Sequence, residues 1–212
     1  MKESATNSKR DHTSEFFKKY CIESVGFWIP AKESDNRFIY ILSHASRQSR
    51  SETWNSFKAD PEWKTLFKAS KLNCKLVDQI ESRFMTATDY SLSIKSVVSD
   101  PERVFELRIY TAKEGLLPNI NNRFREATIP LFKKHGMQFI GFWNLMDDQE
   151  GADRTLIYML AHDGPEAANA SWKSFLEDPV WIAASQEGIG KLIIEKGINR
   201  TYLNPLDFSP MK

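Results

Sequence analysis

The 212-residue chain is short of several things, and each shortage narrows what it can be. It has two cysteines, Cys21 and Cys74, far apart and without metal-type spacing. Neither a disulfide framework nor a thiolate metal site is expected, and a reducing, cytoplasmic setting fits best. Charge is nearly balanced at a formal +1, so no net field gathers phosphates, and nucleic acid and anionic membranes are not default partners. No apolar run approaches the roughly 18 residues of a membrane helix. The chain's opening, with Glu3, Asp11 and Glu15 and no apolar block, matches neither a secretory signal nor an acid-poor transit peptide. Glycine-rich phosphate loops, paired-cysteine motifs and nucleophile elbows are missing too, which excludes the enzyme classes that need them and implies no metal or cofactor.

What is present is written twice. Asn36-Arg37-Phe38-Ile39-Tyr40-Ile41-Leu42-Ser43-His44 is echoed by Asp153 to His162, with Tyr40 matching Tyr158 and His44 matching His162. Trp54, Phe57, Asp60, Pro61 and Trp63 return as Trp172, Phe175, Asp178, Pro179 and Trp181, always 118 positions later (158−40 = 181−63 = 118). Upstream, Phe17-Lys18-Lys19 and Gly26-Phe27-Trp28 return as Phe132-Lys133-Lys134 and Gly141-Phe142-Trp143, 115 later (132−17 = 115). A constant offset with one step is the mark of an internal duplication, the step being a longer loop after Trp143. Two units follow, residues 1–95 and 96–212.

Local patterns fill in each unit. Ser24–Trp28 and Phe139–Trp143 are short, aromatic and β-branched, and read as strands. Phe38–His44 and its counterpart Leu156–His162 are apolar on both faces, which predicts strands covered on both sides. Helices are predicted over Arg50–Ala59 and Pro165–Glu177, each broken at Asp-Pro and restarted to about Asn73 and Glu187. Closing strands are expected at Gln79–Met85 and Gly197–Leu203. Only the second unit opens with the alternating strand Val104–Thr111, followed by a helix from about Pro118 to His135 stopped by Gly136.

Strand, helix, strand, strand, helix, strand is the ferredoxin-like order. With Phe105-Glu106-Leu107-Arg108-Ile109-Tyr110 opening one copy and Ile80-Glu81-Ser82-Arg83-Phe84-Met85 closing the other, the chain resembles the NIPSNAP family over roughly residues 14 to 209. The resemblance implies an α+β fold of tandem ferredoxin-like repeats whose sheets meet in an intrachain dimeric α/β-barrel. The first repeat departs from it, because by the 115 offset the partner of Glu106 falls at −9. Either the chain begins late, or a segment such as Ser91–Val98 fills the gap, or a strand arrives from a second chain in a homo-oligomer.

Candidate site residues follow from the faces of these strands. Glu106, Arg108 and Tyr110 share one face of a central strand, expected to look into solvent or into the barrel. There Arg108 offers a forked cation to a carboxylate or carbonyl ligand, or simply pairs with Glu106. His162 and His44 end their strands, where an imidazole serves as general base or haem ligand, or hydrogen-bonds the next loop. Trp28, Trp143, Tyr40 and Tyr158 line an aromatic cavity or fill the barrel. Three functions remain open: a NIPSNAP-like protein binding a small ligand or protein partner, a cofactor-independent monooxygenase or isomerase acting on a small aromatic or lactone-type substrate, and a haem-binding barrel. The absence of a recognisable catalytic set favours the first.

Overall fold

The computed structural model describes residues 14–71, 77–94, 98–99, 103–186 and 189–212; His12, Cys74 and the middle of Ser91–Val98 lie outside them. In chain order the first repeat runs α1 (14–19), β1 (Glu23–Pro30), β2 (Ile39–Ser43), α2 (Arg47–Ala59), α3 (Pro61–Lys71) and β3 (Met85–Ala87). The second runs β4 (Val104–Ala112), α4 (Leu117–Arg123), a π-helical turn (Phe124–Thr128) and α5 (Ile129–Lys134). It continues through β5 (Gln138–Leu145), β6 (Thr155–His162), α6 (Pro165–Leu176), α7 (Pro179–Gln186), α8 (Ile189–Leu192) and β7 (Ile193–Pro205).

Among the described residues all seven strands join one sheet in the order β2-β1-β7-β4-β6-β5-β3, every neighbouring pair antiparallel. Within it, β7-β4-β6-β5 is the ferredoxin-like sheet of the second repeat. The halves are joined by crossed pairings: β1 of the first repeat on β7 of the second, and β3 of the first on β5 of the second. Ile39 and Ile41 from one end of the sheet and Met85 from the other pack on a single cluster built on Trp28, Trp143, Met159 and Leu203. The sheet therefore curls around that cluster into an α/β-barrel left open between its two edge strands.

Helices cover the outer surface. Phe124, Phe132, Phe142, Tyr158 and Phe175 form the core beneath α4 to α7, and Phe16, Phe17, Phe27 and Phe57 form its smaller counterpart beneath α1 to α3. The duplication is visible bond by bond. Phe27 and Phe142 donate their backbone N–H to Ser209 and Ser91 Oγ at 2.9 and 3.0 Å. Asp60 and Asp178, each just before a proline, accept from Lys19 and Lys134 at 2.7 Å and from backbone N–H groups of the helix that follows. Phe57–Trp63 and Phe175–Trp181 stack at 4.4 and 4.3 Å with nearly the same tilt.

The copies differ where a neighbour is missing. β6, between β4 and β5, is buried along its whole length, whereas β2 is an edge, with Tyr40 38% exposed and Phe38, just before the strand, 51% exposed. The expectation that both strands are covered on both sides thus holds for one only. The predicted strand Gln79–Met85 shrinks to Met85–Ala87, because pairing starts only where β5 offers Leu145 as a partner, and Ile80 stays exposed. Its counterpart β7 is instead lengthened, running along β4 and then along β1. Among the described residues no strand takes the opening position of the first repeat, and Ser91–Ile94 is irregular.

Candidate functional site

β4 has two faces. Phe105, Leu107 and Ile109 turn into the barrel, while Tyr110 belongs to the core under the helices. Glu106, Arg108 and Tyr110 thus share the helix-side face, neither in solvent nor in the barrel as their polarity suggested. Burial there is offset by pairing within the group, although Arg108 Nε is left without a hydrogen-bond partner among the described residues. Glu106 Oε1 accepts from Arg108 Nη1 at 2.8 Å, and Oε2 accepts from Trp172 Nε1 at 2.7 Å and His162 Nε2 at 3.1 Å. Arg108 Nη2 and the Tyr158 hydroxyl both donate to the Tyr110 hydroxyl, at 3.2 and 2.9 Å. The Arg108 guanidinium stacks 4.3 Å from the Trp172 ring centre.

Protonation states follow. Burial pushes the Glu106 carboxyl up, but His162, Arg108 and Trp172 together outweigh it and hold the group below the ordinary glutamate range. An ionised carboxylate can only accept, so His162 Nε2 carries the hydrogen. Burial would lower Arg108, yet Tyr158, Tyr110 and Glu106 facing it raise it, so it stays charged. Burial drives Tyr158 well above the ordinary phenol range, which keeps it a neutral donor. His162, only 3% exposed, has its Nε2 engaged by Glu106. So placed, that nitrogen has neither the lone pair of a general base nor an open path to a metal.

The other candidates separate. Trp28 and Trp143 turn into the barrel, Tyr158 lies under the helices, and Tyr40 stacks with Phe27 and Phe38. The four aromatics therefore line no common cavity. Gly26 and Gly141 lie under the two indoles: a Cβ on Gly141 would come 2.5 Å from Trp143 Cζ2. His44 is partly buried at the open side, and burial, then Arg50, pushes its imidazole down.

Sequence reasoning named Trp172 only as the repeat partner of Trp54, although the 118 offset puts it in step with His162 and His44. It also passed over Arg123, whose buried Nε and Nη1 have no partner among the described residues, and Arg50 on α2. A cation at a helix position otherwise filled by alanine (168−50 = 118) was the available signal.

The open side of the barrel holds a cavity of about 710 Å³. Leu107, Ile109 and Leu145 are its apolar lining, and Thr111, Thr155 and Thr201 line it together with Gln149, Glu150, Asn199 and Arg200. At the rim, Arg37 is paired with Asp35 and reaches Thr201 at 3.4 Å, and Arg83 is paired with Glu81. Among the described residues no cluster of histidine, cysteine and carboxylate side chains suits a metal ion, and no helix is long and apolar enough to cross a membrane.

Crossed pairings between two ferredoxin-like halves around a shared core define a tandem α/β-barrel protein. The model of the NIPSNAP family matches residues 2–92 and 105–210, and the chain belongs to that family. Among solved structures it is similar to a NIPSNAP family protein of Agrobacterium tumefaciens (23% identity, 52% of this chain and 92% of that one, TM-score 0.46). A NIPSNAP-like domain protein of Burkholderia xenovorans is similar at 19% identity, over 51% and 90% of the two chains, with TM-score 0.45. A protein of Fusobacterium nucleatum described as a putative monooxygenase aligns over 95% of this chain and 86% of its own, at 12% identity and TM-score 0.50, a likeness of fold alone. No curated protein matches the chain.

Proposed function

We propose that the protein binds a small amphipathic ligand at the open side of its barrel and does not turn it over. The observation that carries this reading is the division of labour between the two faces of β4. The cavity face offers an apolar patch of Leu107, Ile109 and Leu145 amid hydroxyl, amide and arginine side chains, suited to an apolar body with a polar, anionic end. Of the groups that could move protons, Glu106 and His162 lie on the other face and are engaged with each other, while the carboxylates lining the cavity, Glu81 and Glu150, are exposed, Glu81 being paired with Arg83. Catalysis by general acid and base needs such a group within hydrogen-bond reach of the substrate.

A thermal-shift screen of aromatic and aliphatic carboxylic acids, with native mass spectrometry of the complexes, tests this. Saturable stabilisation by one class, lost in Ile109→Trp because the indole fills the apolar patch, is the expected result. If no acid shifts the wild type, or if Ile109→Trp responds equally, the cavity is not a binding site.

A further inference from the structure

With seven strands and only antiparallel pairings, the two edge strands β2 and β3 run parallel to each other. They face across the opening: Ser43 and Ala87 share one recess, and Arg37 and Arg83, just before each strand, share the larger cavity. One more strand, antiparallel to both, completes an eight-stranded barrel. The repeat says what surrounds that position. β2 and β3 are the counterparts of β6 and β7, the two neighbours of β4 (203−85 = 118), so the gap corresponds to β4.

In the second repeat β4 brings Glu106 to His162 and Trp172, and Tyr110 to Tyr158. Their counterparts His44, Trp54 and Tyr40 are all present beside the gap, and none makes a side-chain hydrogen bond to another described residue. The cation differs in origin. Arg108, which comes from the strand, lies 4.3 Å from the Trp172 ring, and Arg50, which comes from α2, lies 5.0 Å from the Trp54 ring. Arg50 also acts electrostatically on Tyr40 and His44. Two N–H donors, a phenol and a guanidinium thus face a gap in which, among the described residues, no carboxylate acts on Tyr40 or His44.

We propose that the gap between β2 and β3 accepts an extended acidic segment of another polypeptide, which pairs with both edges and sets a glutamate between His44, Trp54 and Arg50. By the register of β4, in which Glu106 stands opposite Leu160, that glutamate stands opposite Leu42. Apolar residues on either side of it turn inward over Ile41 and Met85. The proposal rests on the edges and the helix-side face, and holds whether or not the cavity takes a small ligand.

The probe is a fluorescein-labelled peptide of residues 104–112, Val-Phe-Glu-Leu-Arg-Ile-Tyr-Thr-Ala, titrated with the full chain by fluorescence anisotropy. Saturable binding is expected, weakened at least about tenfold when the peptide glutamate becomes glutamine, the scale of one charge-assisted hydrogen bond. Arg50→Glu, on a partly exposed helix face, weakens it similarly. Three results overturn the proposal: no saturable binding, equal binding of the glutamine peptide, or a concentration-dependent self-association of the chain that Arg50→Glu abolishes and that excludes the peptide. The peptide comparison needs no change in the protein, so a misfolded variant does not blur the result.

Discussion

Replacing Glu106 by glutamine separates charge from shape at the centre of the second repeat. The carboxylate is fully buried, and Arg108 beside it is 8% exposed, so solvent cannot take over when the negative charge is removed. Glutamine keeps one acceptor oxygen for three donors and sets its own amide N–H groups against one of them, donor facing donor. Breaking a buried pair by neutralising one partner costs about 3–5 kcal/mol. For a chain of this size that lowers the melting temperature by roughly 6–20 °C, at about 2–4 °C per kcal/mol. Arg108→Met alone should cost a similar amount, since it leaves the carboxylate without its cation. In the double variant no charge remains, so the penalties should not add, and a coupling energy above about 1.5 kcal/mol is expected. Urea denaturation followed by tryptophan fluorescence measures all four corners of the cycle. A single variant within about 0.5 kcal/mol of wild type, or additive penalties, would refute the idea that these groups compensate one another.

Gly141→Ala should destabilise by about 1–3 kcal/mol, because the new methyl meets the Trp143 indole inside a closed core, and circular-dichroism melts should show Gly26→Ala behaving alike under Trp28. Asp178 is held well below the ordinary aspartate range by Lys134 and then His135, and Asp60 by Lys19 and then Tyr20. Since the folded values are the depressed ones, this stabilisation is complete above the unfolded aspartate value of about 3.9 and is lost as pH falls through the folded ones. The melting temperature should therefore decline below about pH 4, and Asp178→Asn should flatten that decline, as melts across pH 2 to 6 would show; a variant as acid-sensitive as wild type would exclude Asp178.

The repeat was legible because a fixed offset is independent of burial or partner, and the α/β-barrel of ferredoxin-like halves followed from the family resemblance, without the crossed pairings of β1 with β7 and of β3 with β5. Which face of β4 looks inward was not legible. Period two says that Glu106, Arg108 and Tyr110 point together, but in a barrel with helices outside, both faces are covered, so polarity cannot choose between them. What decided it was Trp172 and His162 reaching in from neighbouring elements, a three-dimensional coincidence. The failure at Gln79–Met85 has a different origin, since a strand exists only where a partner strand supplies hydrogen bonds, and Met85–Ala87 is as much as β5 supplies.

The two copies amount to an internal control on that last point. Tyr158 and Tyr40 follow almost the same strand sequence, yet one is fully buried and the other 38% exposed, so the difference comes from what lies beside the strand. Position by position, the helix responds. Where β4 lays Arg108 on Trp172, α6 has a buried alanine, Ala168; where no strand lies among the described residues, α2 has Arg50 on Trp54. An arginine at the first copy's Arg108 position would meet Arg50 head-on, two cations competing for one ring and one carboxylate. A segment filling the gap should therefore prefer a neutral residue two places after its glutamate, and substituting the probe peptide's arginine by glutamine should tighten its binding. If the arginine peptide binds tighter instead, Arg50 does not stand in for Arg108.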